Sequence, residues 1–168
     1  YWIMNRMNRK TDRKRYMMSA SLQYNVTEWL NIVGRVNVDN SDYKITDKRY
    51  AGTLPNFAGE KGRYRQELRD DKQIYADMMG TLNKTIEDFT FNINVGASIK
   101  DRRMDSHSME GDLYKVTNWF TTENMIQEKK KPKIDEDGIK RQTQSIFSDA
   151  GIGYNNFLYL TLTARNDW

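Results

Sequence analysis

Between Phe157 and Trp168 apolar side chains fall on every second position: Leu158, Leu160, Leu162 and Ala164 alternate with Tyr159, Thr161, Thr163 and Arg165. A period of two sends neighbouring side chains to opposite faces, so this stretch is predicted to be a strand with one apolar side. The same alternation runs through Tyr16, Met18, Ala20, Leu22, Tyr24 and Val26, and again through Leu30, Ile32, Gly34, Val36 and Val38. It returns in Ile74, Ala76, Met78, Gly80 and Leu82, then in Phe89, Phe91, Ile93, Val95, Ala97 and Ile99, and in Ile146, Ser148, Ala150, Ile152 and Tyr154. Strands are therefore predicted near 15–26, 30–39, 72–82, 89–99, 142–154 and 157–168.

The connections are uneven. Thr27-Glu28-Trp29, the stretch from Asn83 to Asp88, and Asn155-Asn156 read as short turns, whereas 40–70 and 100–141 lose the period and read as long loops. In an all-β, antiparallel up-and-down meander this alternation puts the short turns at one edge and the long loops at the other. Outer-membrane barrels have that asymmetry, so the fold class is a partial transmembrane β-barrel, with Leu158, Leu160, Leu162 and Ala164 facing lipid. Tyr16, Tyr24, Trp29, Phe89, Tyr154 and Trp168, placed at strand ends, suit its interfacial girdles. The smallest such barrels have about eight strands, and an open edge in lipid leaves backbone groups unpaired. Further strands are expected outside 1–168, and the last strand is expected to continue beyond Trp168.

Composition agrees with a wall rather than a core. Only 38% of the 168 residues are hydrophobic and 30% are charged, while 12% are aromatic, too many for a disordered chain. Two-faced strands average to a polar sequence, which accounts for the mean hydropathy of -0.89. The 27 basic and 23 acidic residues form a mixed surface, so no nucleic-acid partner is expected. With no cysteine there are no disulfides or thiolate sites, and no stretch reaches the roughly 20 apolar residues of a spanning helix. The rival reading is a soluble β-sheet ligand-binding module.

Certain segments carry a family likeness. Tyr1-Trp2-Ile3, the hairpin Asn25-Val26-Thr27-Glu28-Trp29-Leu30 continuing to Gly34-Arg35-Val36, and Tyr154 to Leu160 with Thr163-Ala164-Arg165-Asn166-Asp167-Trp168 resemble the barrel of the SusC/RagA-like TonB-linked outer-membrane transporters. The resemblance implies residence in the bacterial outer membrane and import of oligosaccharide or peptide. It also implies a SusD-like surface lipoprotein as partner, outer-membrane lipid around the wall, and contact with the TonB complex through a plug region that this chain lacks.

No catalytic, cofactor or metal role is expected, and the chain is not read as an enzyme. His107, the single histidine, reads as a solvated loop residue; Asp135-Glu136-Asp137-Gly138 reads as a turn, since the later Glu of a calcium loop is missing. Asn25-Val26-Thr27 and Asn83-Lys84-Thr85 match the glycosylation sequon by chance, in tight turns, and Lys129 to Lys133 reads as a solvated charge run. Arg35, Asp77, Asp149 and Arg165 lie on the polar side of their strands and are the candidate lumen-facing residues, either ion-paired there or lining the solute path. Tyr114, Trp119 and Phe120 are candidate loop contacts to solute or lipoprotein, with packing of the loop on itself as the equal alternative.

Overall fold

The computed structural model describes residues 4–168 except Lys129 and Asn156. Tyr1-Trp2-Ile3, which carried part of the family resemblance, lies outside the described residues. Six strands follow in order: β1 (Met7–Thr27), β2 (Leu30–Arg49), β3 (Arg63–Ile86), β4 (Phe89–Asp112), β5 (Lys133–Tyr154) and β6 (Leu158–Asp167). They join one sheet in chain order, an antiparallel up-and-down meander of the expected class.

The strands are longer than hydropathy predicts. The connection expected at 40–70 shrinks to residues 50–62, and that expected at 100–141 shrinks to 113–132, because β2, β3, β4 and β5 all run into them. β1 likewise starts at Met7, so Tyr16 sits inside a strand and not at its end. The cause is that Asn8 to Arg15, Arg65 to Asp71 and Asp101 to Asp105 are largely polar on both sides, which erases the hydropathic period. Strand pairing does not need it, since the backbone ladder is the same whatever the side chains. His107 is therefore a β4 residue, Asp135 to Gly138 belong to β5, and Asn83 belongs to β3.

Two compact units divide the chain. One comprises Tyr1–Arg15, Asn40–Asp71 and Arg103–Ile139. Its small core is Tyr64, Leu113 and Met125, with Met109 and Phe120 packed against it. The other comprises Tyr16–Asp39, Lys72–Arg102 and Lys140–Trp168. There β5 and β6 pair in the register Ile152↔Leu160, Ala150↔Leu162 and Ser148↔Ala164, which keeps their apolar positions on one side. That side is uncovered: Met18, Leu22, Tyr24, Met78, Leu158 and Leu162 are all more than half exposed.

The tight turns of this second unit are tied to neighbouring strands. Asn83 N–H donates to the Trp29 carbonyl at 2.9 Å, and Asn155 N–H donates to the Asp88 carbonyl at 2.7 Å. Glu87 and Asn155 hold the left-handed conformation, with φ of 52° and 45°. Lys84 lies 5.1 Å from the Trp29 ring, and Phe89 packs on Tyr154 at 4.9 Å. On the other side of the sheet the Phe147 ring lies over Gly96, where any Cβ would also stand 3.0 Å from the Met78 carbonyl. Gly96→Ala is expected to destabilise the folded protein by about 1–3 kcal/mol through overpacking. Phe147→Leu in the same chain should recover most of that loss, as read from denaturant midpoints of both variants.

Candidate solute-contact surfaces

In the second unit the polar face is a hydrogen-bonded surface. Arg35 Nε donates to Asp77 Oδ1 at 2.9 Å, and the Asp77 side chain is only 1% exposed while Arg35 is 47% exposed. Asp77 Oδ2 has no hydrogen-bond partner among the described residues. Asp149 belongs to a different group: Thr81 Oγ1 donates to Asn94 Oδ1 at 2.7 Å, and Asn94 Nδ2 donates to Asp149 Oδ1 at 2.5 Å. Arg165 makes a third group, its Nε 2.9 Å from Asp167 Oδ1 and its Nη2 3.3 Å from Ser145 Oγ. The four sequence candidates thus share a side of their strands but fall into separate groups. Sequence reasoning passed over Asn92 and Asn94, whose alternate spacing on β4 is the signal that they share this side; Asn92 Nδ2 donates to Asn83 Oδ1 at 2.7 Å.

In the first unit both connections are folded rather than loose. Asn124 is fully buried and works as the hub of 113–132. Its Oδ1 accepts from the backbone N–H groups of Lys115 and Val116 at 2.8 and 2.9 Å, and its Nδ2 donates to the Val116 and Trp119 carbonyls, both at 2.7 Å. The shorter connection is pinned to it. Leu113 N–H donates to the Gly62 carbonyl, Asn118 N–H donates to the Lys61 carbonyl, and Ala51 N–H donates to Asn118 Oδ1. Gly62 has φ +107°, and a Cβ there would meet the Arg49 carbonyl at 2.8 Å, so the crossing of the two connections needs glycine.

This packing separates the three aromatic candidates. Phe120 meets Tyr50 edge-on at 4.8 Å and Tyr64 at 6.1 Å, so it is partly buried and packed against the unit's core. Tyr114 and Trp119 are about half exposed, 53% and 48%, on the scaffold that Asn124 organises. Leu54 and Phe57 of the shorter connection are also exposed. In the basic run, Lys130 pairs with Asp112 at 2.8 Å and Lys133 with Asp135 at 2.7 Å. His107 Nδ1 lies 3.1 Å from Glu136 Oε1, an exposed pair, and no cluster of metal-ligating side chains occurs among the described residues.

A charged ladder that the sequence reading took for loop also belongs to this unit. Arg65 Nη2 and Arg69 Nη2 grip the two oxygens of Glu67 at 3.0 and 2.6 Å, and Glu67 is only 5% exposed. Arg63 Nε lies 2.8 Å from Glu110 Oε1, an ion pair in which the N–H is not aimed at the oxygen. The detectable signal was the i, i+2, i+4 spacing of Arg65, Glu67 and Arg69, which places them on one side of a strand.

No family model and no curated protein sequence matches the chain. Solved structures do. Over 99% of its length the chain is similar to part of a chain in the structure of the RagAB peptide transporter, with a TM-score of 0.88 at 13% identity. It has the fold of a section of a RagA/SusC-like transporter. The RagAB peptide importer in its open-open state gives 0.85 at 14% identity over 99% of the chain, and in its closed-closed state 0.85 at 13% over 97%. The chain spans 18% of the length of each of these solved chains.

Two outcomes follow from the loop geometry. Asn124→Leu leaves four backbone groups without partners and should loosen 113–132, raising its amide exchange at least about tenfold, since each unpaired buried group costs about 1–3 kcal/mol. Asp112 sets a pH limit. Partial burial pulls its carboxyl upward, but the Lys130 hydrogen bond and charge, the Arg63 charge and the Gly59 N–H outweigh this and hold it below the usual carboxylate range. A depressed folded-state value means that this anchoring is fully present above the unfolded carboxylate's range and is lost only as pH falls through the lower value. Exchange at Gly59 and Leu113, normalised for intrinsic rates, should therefore rise only below about pH 4, and Asp112→Asn should remove that transition.

Proposed function

We propose that the chain is a section of the barrel wall of a TonB-dependent outer-membrane importer of glycans or peptides, working with a SusD-like surface lipoprotein. The observation that carries this reading is the uncovered apolar side of the second unit. Soluble monomers rarely leave a contiguous apolar patch beyond a few hundred Å² in water. Here Met18, Leu22, Tyr24, Met78, Leu158, Leu160 and Leu162 share such a side, while the opposite side forms hydrogen bonds. Lipid against the first and a wet lumen against the second satisfy both. The likeness to RagAB structures supports the same assignment.

In this reading Arg35, Asp77, Asp149 and Arg165 line the lumen, where solute or a plug region of the whole protein meets them. Tyr114 and Trp119 are the contact residues for solute or lipoprotein, while Phe120 holds their scaffold. TonB acts through the plug region, and the wall itself performs no chemistry.

The test uses the complete protein. It should fractionate with outer membranes and need detergent to stay dispersed. Leu160→Arg puts a charge against lipid at a cost of about 2–4 kcal/mol and should sharply reduce the assembled, heat-modifiable form, whereas Thr161→Arg on the other side should be tolerated. Trp119→Ala should assemble normally and lower uptake or lipoprotein retention. A monodisperse, detergent-free protein indifferent to Leu160→Arg would overturn the assignment in favour of a soluble binding module.

A further inference from the structure

The apolar side of the second unit carries charge only at its margins. Among its strand positions on that side are three lysines, Lys72, Lys84 and Lys140, and one acid, Asp101. Lys84 stands at the turn end, over the Trp29 ring. Lys72 and Lys140 stand at the other end, and at one level. Thr81 and Asp149 both meet Asn94; Lys72 lies nine residues before Thr81, and Lys140 lies nine before Asp149. With β4 between them the two are separated by two inter-strand steps, about 9.6 Å, a gap that two long side chains can close. Both are exposed, and neither makes an ion pair among the described residues. Asp101 lies between them but seven residues from Asn94, nearer the apolar run, and the three together keep a net positive charge. Further along, the apolar side is not smooth. A trough of about 730 Å³ touches Ala20 and Leu22, Gly34 and Val36, and Ala76 and Met78, pairs two residues apart whose side chains share that side. A Cβ on Gly34 would meet nothing within 4 Å.

We propose that this margin docks a phosphate-bearing lipid of the outer leaflet, its phosphate held between the Lys72 and Lys140 ammonium groups and an acyl chain lying in the trough. Two unpaired cations at one level suit a phosphate, whose oxygens accept from both at once. Lysine stems cross apolar surface while their ammonium groups stay at the polar boundary, which is where lipid phosphates lie. Lys72 and Ala76 are four residues apart, about 13 Å along β3, close to half of the roughly 30 Å hydrocarbon core, so a single lipid reaches from the lysines to the trough. A soluble phosphate compound has no alkyl chain to place there. The inference rests on the importer reading, because only a wall with hydrocarbon on this side has a headgroup layer at its margin. It adds to that reading a defined lipid site, with a phosphate end and an alkyl end.

The experiment is amine footprinting of the complete detergent-solubilised protein with an acetylating reagent, read by peptide mass spectrometry. The probes are diphosphoryl lipid A, the same lipid stripped of its phosphates, and inorganic phosphate. Diphosphoryl lipid A should slow acetylation of Lys72 and Lys140 together and leave Lys100, an exposed lysine on the polar side, unchanged. Neither of the other two probes should protect them. Lys72→Gln should raise the lipid concentration that half-protects Lys140 by about fivefold, the share of one lysine beside an anionic lipid surface, whereas Lys72→Arg should leave it nearly unchanged. Gly34→Leu, which fills the trough, should raise the same concentration without altering Lys100. Equal protection by the stripped lipid would mean cover by hydrocarbon alone, and equal protection by inorganic phosphate would mean a site for soluble anions; either overturns the proposal. So does an unchanged Lys140 response in Lys72→Gln or in Gly34→Leu. Outer-membrane fractionation and the sensitivity to Leu160→Arg would be unaffected by any of these results, so failure of this site is distinguishable from failure of the importer reading.

Discussion

The interstrand backbone ladder is the interaction on which everything else in this protein depends. Among the described residues the buried hydrophobic ones are few, Ile45, Ala58, Tyr64, Leu113 and Met125, and all of them belong to the first unit. The second unit shows none of that class among its described residues, yet β5 and β6 pair there in regular register. In the proposed barrel wall, with lipid on one side and water on the other, the apolar side chains do not need to meet one another. What must be satisfied is every N–H and C=O, because an unpaired backbone group in hydrocarbon costs several kcal/mol. In that proposal the alternation of apolar and polar residues is a consequence of the two solvents.

The ladder also explains why the polar side carries so many short side chains in hydrogen-bonded groups. Thr81, Asn83, Asn92 and Asn94 satisfy one another across neighbouring strands, and Asp149 is drawn in through Asn94. These amides keep donors and acceptors paired while leaving the surface wet. Gly96 beneath Phe147 shows the complementary device, in which a ring from the next strand covers a residue without a side chain. Such contacts fix the relation of β4 to β5 on the side where no hydrophobic core does so.

The first unit solves a different problem. Its strands are charged on both sides, and its connections must hold their shape with little apolar area. Asn124 supplies what a loop usually lacks, an internal set of backbone hydrogen bonds around one buried side chain. Glu67 plays a related part on the sheet by holding two arginines at fixed positions. Exposed aromatics on a rigid scaffold lose less entropy on meeting a ligand than free ones would, which is why Tyr114 and Trp119 are placed among the candidate contacts.

The sequence by itself determined the class of fold and the number of strands, because Leu158, Leu160 and Leu162, Phe89 to Ile99 and the other alternating runs record the apolar and the polar side of each strand. It also put Arg35, Asp77, Asp149 and Arg165 on the polar side, since an extended backbone sends alternate side chains to opposite faces. It could not determine where the strands end. From Asn8 to Arg15 and from Arg65 to Asp71 both sides are polar, so hydropathy carries no period although the ladder continues. Nor could it separate Phe120 from Tyr114 and Trp119, or show that Lys72 and Lys140 stand at one level of the sheet. Those outcomes turn on which residues the folding of β3, β4 and β5 brings together across the sheet, and only tertiary structure decides that.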